Sequence, residues 1–140
     1  MLFRLTICTI FLAVLALPTI INADDIVPLS YPPKVAYMLL ANELGVQYGI
    51  PSSEIKNVLK AESGYSQEAV GDHGKALSCA QFHKDTFDGY AAQYGQPLNY
   101  PSCIDQEKLM AWMWASNPQT TQLWTTYRRS YGVKYRHEKV

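Results

Sequence analysis

Apolar residues recur along most of this chain three and four positions apart, the spacing of helices with one buried face. From Pro33 the pattern turns helical: Val35, Met38, Leu39 and Asn42 share a face, and Gly45 or Gly49 ends the run, which predicts a first helix over about 33–48. Pro51 opens a second, at a position where its missing N–H costs nothing, and Glu54 suits the positive end of the helix dipole. Ile55, Val58, Leu59 and Glu62 complete an i, i+3, i+4, i+7 stripe, so a carboxylate stands where an apolar residue is expected.

The segment 65–81, with Gly71, Asp72, Gly74 and Ser78, reads as a long loop with room for a short hairpin. "DTFDGYAAQYG" resumes helical spacing through Phe87, Tyr90, Ala91 and Tyr94, with Asp85 as a cap and Gly95 as the stop. After the linker "QPLNYPSC", Asp105 is the expected N-cap of a fourth helix, with Ile104 and Leu109 as a hydrophobic staple and Leu109, Trp112 and Met113 on its buried face. Asn117-Pro118 repeats the cap-then-proline start for a fifth helix with a stripe of Leu123, Trp124 and Tyr127, running towards Gly132. Strand signals are too sparse for a sheet-based fold, so the expected class is all-α, with about five helices.

The N-terminus changes the picture of where the protein works. "MLFRLTICTIFLAVLALPTIINADD" has Arg4, an apolar run from Leu5 to Leu17, Pro18 and the small residue Ala23, the layout of a secretory leader cleaved after Ala23. A retained anchor is the rival reading, but the run falls short of the ~20 residues a spanning helix needs. The expected organisation is a leader over 1–23, an irregular proline-rich lead-in over 24–32, one domain over 33–132 and a basic tail over 133–140. At 48% hydrophobic, 17% charged and zero formal net charge, the composition is that of one globular domain rather than a disordered chain. Cleavage removes Cys8, leaving Cys79 and Cys103, and an even pair in an oxidising compartment points to a disulfide. Closing that loop is worth roughly 3–4 kcal/mol in the chain-entropy model. A metal pair or catalytic thiol lacks the necessary spacing and partners.

Glu62 is the residue with the clearest chemistry. Gly64 follows closely, so the helix end can roll the side chain out to solvent, which is the plain structural reading. The functional reading is a carboxyl in a cleft at a helix C-terminus, where desolvation and the dipole favour the protonated form that general-acid catalysis requires.

"AESGYSQEAVGDHGKALSCAQFHKDTF" resembles the soluble lytic transglycosylases of the lysozyme-like superfamily. That family has a helix ending in Glu-Ser, an Asn-Ala-Val-like turn, a Gly-rich loop, and a small-x-x-Gln-hydrophobic segment leading into another helix. The matching residues are Glu62-Ser63-Gly64, Glu68-Ala69-Val70, Gly71 to Lys75, and Ser78-Cys79-Ala80-Gln81-Phe82, within a similarity covering roughly 33–95. The resemblance implies a mainly helical, lysozyme-like fold around a cleft, and cleavage of peptidoglycan strands between N-acetylmuramic acid and N-acetylglucosamine. Glu62 matches the catalytic acid, which then acts as base on the sugar's own 6-hydroxyl and yields a 1,6-anhydro product. One carboxylate therefore suffices, whereas a two-carboxylate lysozyme mechanism would need Asp72, Asp85 or Asp88 opposite Glu62. Ser63, Ser78 and Gln81 fall at positions of the family's sugar site; as plain chemistry Ser63 is also a C-cap serine and Gln81 an ordinary surface glutamine. Ser78 stands where the family has glycine. The family's later Ala-Tyr-Asn motif has no clear counterpart, since "WASN" ends in Asn117 without the tyrosine, which leaves Tyr127 or Tyr100 to take its place.

Other features add less. Trp112 and Trp124 fit helix stripes, while Tyr65, Tyr100 and Tyr127 are better placed to offer flat faces to sugar rings. "GDHGK" lacks the interval and Lys-Ser/Thr of a phosphate loop, and His73, His83 and His137 are too scattered for a metal site. The basic end "YRRSYGVKYRHEK" could touch an anionic wall polymer or simply complement a helix terminus. The expectation is thus a secreted or periplasmic monomeric enzyme acting on peptidoglycan glycan strands, with no cofactor, metal, nucleic acid or stable membrane insertion. The alternatives are a non-catalytic glycan-binding or wall-associated protein on the same scaffold, and a lysozyme-type hydrolase.

Overall fold

The computed structural model describes residues 31–132. The expected leader, most of the lead-in and the basic tail lie outside the described residues. Helix α1, Pro33–Tyr48, starts on a proline and stops at Gly49 in the left-handed region, with the boundaries its sequence pattern predicts. Its buried face is different. Tyr37, Leu40, Ala41, Leu44 and Gly45 turn inwards, whereas Val35 and Leu39 are exposed. Both sets keep helical spacing on a helix that is apolar nearly all round, and packing against two other helices, not periodicity, selects one. Gly45 shows how close that packing is: a Cβ there would sit 2.7 Å from the Ile50 carbonyl oxygen.

Helix α2, Ser52–Ser63, buries Ile55, Val58 and Leu59 and is closed by Gly64 in the left-handed region. The long loop then holds more order than a single hairpin. Strands β1 (Val70–Gly71), β2 (Ala76–Leu77) and β3 (Phe82–His83) form an antiparallel sheet in that order, with Asp72–Gly74 as a 3-10 turn between the first two. Leu77 pairs with Val70 on one side and Phe82 on the other.

Helix α3, Lys84–Tyr94, begins two residues earlier than an Asp85 cap allows; His83 occupies the cap position and Asp85 lies in the first turn. Helix α4, Cys103–Ser116, is capped by Ser102, whose Oγ accepts the Asp105 N–H at 3.3 Å. Asp105 instead accepts the Asn99 N–H at 3.0 Å. Ile104 is thus inside the helix and exposed, so the expected staple does not form. Trp112 is only half-buried, stacked edge-on against Tyr94, and Met110 and Trp114 fill the core places beside Leu109 and Met113.

The expected fifth helix is two pieces. Asn117 does cap the start, accepting the Gln119 N–H at 3.1 Å, but Pro118–Leu123 is 3-10 and helix α5 runs Thr125–Tyr131. The break turns Leu123 out to solvent while Trp124 and Tyr127 pack edge-on against Trp114. The described chain is thus mostly helical with one small sheet, and α1 and α4 pack together across the core. Among the described residues no helix is long and apolar enough to cross a membrane.

One buried residue runs against the apolar interior. Glu107 on α4 is fully buried, and neither carboxyl oxygen has a hydrogen-bond partner among the described residues. Burial pushes its carboxyl well above the ordinary value of 4.5, opposed by the Lys56 ammonium. The phenols of Tyr37 and Tyr65 are raised as well, by burial first and the Glu107 charge second. Between 4.5 and that raised value the folded chain holds a proton the unfolded chain has lost. Stability from this group is therefore intact at acid pH and falls as pH rises through the raised value, by about 1.4 kcal/mol per pH unit for one proton. Glu107→Gln should accordingly be more stable than wild type at pH 7.5, with the gap closing towards pH 4.5. Thermal melts across that range check this, and a gap independent of pH would contradict it.

Candidate active site

The segment 77–82 ends in Gln81 and Phe82, which line the cleft that contains Glu62, and it is held by side chains more than by its own ladder. Gln106, fully buried on α4, accepts the Ala80 N–H at 3.1 Å and donates to the carbonyls of Leu77 (3.0 Å) and Tyr100 (2.8 Å). The Ala80 carbonyl accepts the Trp124 indole N–H at 2.8 Å, and the Phe82 carbonyl accepts the Tyr100 hydroxyl at 2.7 Å. The Cys79–Cys103 disulfide, with Cα atoms 5.2 Å apart, ties the same segment to the start of α4.

These constraints explain an unusual backbone. Ser78 and Gln81 sit at φ 64° and 55°, in the left-handed region that non-glycine residues rarely adopt. Such positions cost about 1–3 kcal/mol each and persist only where the surroundings over-determine them. The Gln81 side chain contributes, donating to the Ser78 carbonyl at 2.6 Å and lying 3.3 Å from that of Ala69.

Glu62 opens from the last turn of α2 into a cleft of about 350 Å³. Its Oε1 accepts the Thr126 hydroxyl at 2.6 Å, so α5 holds the carboxyl directly. Phe82 and Trp124, edge-on at 5.1 Å, form the apolar part of the lining, and Leu123 adds an exposed lip. Gln81, His83 and Arg129 bring polar groups to the rim. His83 Nε2 lies 2.9 Å from Asp72 Oδ2. It also lines a second pocket of about 350 Å³ that reaches Lys75, Lys84 and Tyr100. Glu62 is the only carboxylate lining its cleft among the described residues; Asp72 pairs with His83, Asp88 with Lys84, and Asp85 lines the second pocket. One carboxyl with one hydroxyl donor can deliver and take back a proton at a group bound beside it.

Of the residues expected at a sugar site, Glu62 and Gln81 meet in this cleft. The others do not line it. Ser63 is a brace, donating to the Cys79 carbonyl at 2.9 Å and accepting the Ser66 N–H at 3.2 Å. Ser78 is buried behind the wall. Tyr127 is buried too, and its hydroxyl donates to Glu54 Oε2 at 2.8 Å, so it cannot replace the missing tyrosine. Tyr65 is likewise buried, bonded to the Lys56 carbonyl, and Tyr100 faces the second pocket. Sequence reasoning missed Thr126 and Gln106, and met Arg129 only within the basic end "YRRSYGVKYRHEK". Thr126 and Arg129 stand three apart and share a helix face, yet only the tertiary fold brings that face to Glu62.

Among the described residues no group of three or more His, Cys, Asp or Glu side chains is placed to hold a metal ion. Compared with family models, curated proteins and solved structures, the chain matches none.

The clamp can be tested alone. Gln106→Leu keeps the size but strands the Ala80 N–H and two carbonyls, each costing about 1–3 kcal/mol when buried and unpaired. Urea denaturation should show a loss of about 3 kcal/mol or more, whereas a loss under about 1 kcal/mol would mean the wall is held by other contacts.

Proposed function

We propose that this protein is a peptidoglycan lytic transglycosylase of lysozyme-like architecture, exported to an oxidising compartment, with Glu62 as its single acid/base. The observation that carries the reading is the placement of Glu62: it ends an apolar helix stripe, faces a cleft, and is the only carboxylate lining it among the described residues. In this mechanism the Glu62 acid protonates the glycosidic oxygen as the bond to the anomeric carbon breaks. The resulting carboxylate then accepts the proton of the 6-hydroxyl on the same sugar, whose oxygen closes onto the anomeric carbon as the 1,6-anhydro ring. No second carboxylate is needed, unlike the two-carboxylate route of hydrolases. Phe82, Trp124 and Leu123 supply apolar surface for sugar faces, and Gln81 supplies polar groups for their substituents. The Cys79–Cys103 disulfide suits an exported chain.

Glu62→Gln removes the transferable proton and retains an oxygen to accept from Thr126, so cleavage of insoluble peptidoglycan should fall about 10²–10⁴-fold with the fold intact. Mass spectrometry of the fragments released by wild type decides the chemistry. Anhydro ends support the transglycosylase, reducing ends reassign it as a hydrolase, and co-sedimentation without fragments makes it a glycan binder.

Thr126 is a positioning residue in this scheme. Thr126→Val removes a hydrogen bond to an ionisable group, worth about 1.5–3 kcal/mol, so kcat should drop about 10–100-fold with KM little changed. Thr126→Ser should restore most of it. A valine variant with wild-type kcat would show that Glu62 needs no such partner.

A further inference from the structure

We infer that Arg129 is a specificity-determining residue that reads a carboxylate carried by the glycan, so that the cleft takes an anionic strand in preference to a neutral one of equal length. The inference rests on the glycan-binding reading of the Glu62 cleft and adds the charge class of its ligand. Thr126 and Arg129 stand one turn apart on α5, and both line the cleft. Thr126 spends its hydroxyl on Glu62. The Arg129 side chain is exposed, and its guanidinium makes no hydrogen bond or ion pair among the described residues. Its neighbour Arg128 differs, with Nη2 donating to Thr125 Oγ1 at 3.0 Å.

Glu62 accepts from Thr126, and Asp72 lies against His83. Among the described residues the cleft therefore presents a planar donor with no partner, in the same lining as the acid and the apolar surface of Phe82 and Trp124. A guanidinium is a fork of N–H groups matched to a carboxylate, which it can hold bidentately, and the adjoining apolar surface limits competition from water. A neutral sugar offers only hydroxyl and amide partners and gains less from such a group. In a muramic-acid glycan the carboxylate has two sources, the lactyl group itself or the acids of an attached peptide stem.

Binding, not turnover, tests this. In the full-length Glu62→Gln chain, calorimetric titration would compare three oligosaccharides of equal length: a neutral chito-oligosaccharide, a peptide-free muramic-acid glycan with free lactyl carboxylates, and the same glycan carrying peptide stems. An acidic ligand should bind about tenfold tighter than the neutral one, and more so at low salt, because a partly exposed ion pair is screened. The acidic ligand that shows the preference identifies the source. Adding Arg129→Gln should erase the preference and weaken the neutral ligand far less than the acidic one, since the glutamine amide can still meet hydroxyl and amide groups but offers no charge to a carboxylate. If the acidic and neutral ligands bind equally before that change, the inference fails while the glycan reading stands. A uniform loss across all three ligands in Arg129→Gln would make the residue structural and also overturn it. Binding of none of them would sink both readings.

Discussion

Between Leu77 and Phe82 the chain passes through the interior at a place where a loop would normally find water for its peptide groups. Four elements supply side chains in its place. Ser63 comes from the end of α2, Gln106 from the middle of α4, Trp124 from the break before α5, and Tyr100 from the linker. The Ala80 peptide is held from both sides, by Gln106 at its N–H and by Trp124 at its carbonyl. Everything that gives the cleft its shape follows from this shared set of bonds. They fix the wall opposite Glu62, bring Trp124 against Phe82, and thereby place the start of α5, from which Thr126 reaches the carboxyl.

The two glutamates near the core are handled in opposite ways. Glu62 lies at a helix end, open to the cleft and bonded to a hydroxyl, so it can exchange a proton with a bound group. Glu107 is fully buried on α4 without a hydrogen-bond partner among the described residues, and burial alone drives it towards the neutral acid. Only the first is placed for chemistry. The second makes the domain's stability depend on pH, and that dependence is separate from any pH dependence of activity.

The strained backbone at Ser78 and Gln81 belongs to the same design. Positive φ at two non-glycine residues turns the chain sharply between β2 and β3, and this brings Gln81 to the cleft rim while Cys79 and Ala80 stay inside. The disulfide and the Gln106 clamp hold that turn from the α4 side. Serine can hold this left-handed position because the turn is fastened from several directions.

What the sequence by itself determined was local. The bounds of α1 and α2 follow from proline starts and glycine stops, the crosslink from an even pair of cysteines, and the exceptional position of Glu62 from a broken apolar stripe. These features depend on neighbours within a turn or two, or on simple counting, and so they are written in the order of residues. Only the tertiary structure decided which face of α1 is buried, because two stripes of equal periodicity compete and packing chooses between them. It also sent Tyr127 to Glu54 and Thr126 to Glu62, although the two residues are adjacent, since a helix rotates successive side chains by about 100° and the break at Leu123–Trp124 sets where that rotation begins. The orientation of a helix about its own axis is fixed by what it packs against, and no pattern within seven residues of α5 contains that information.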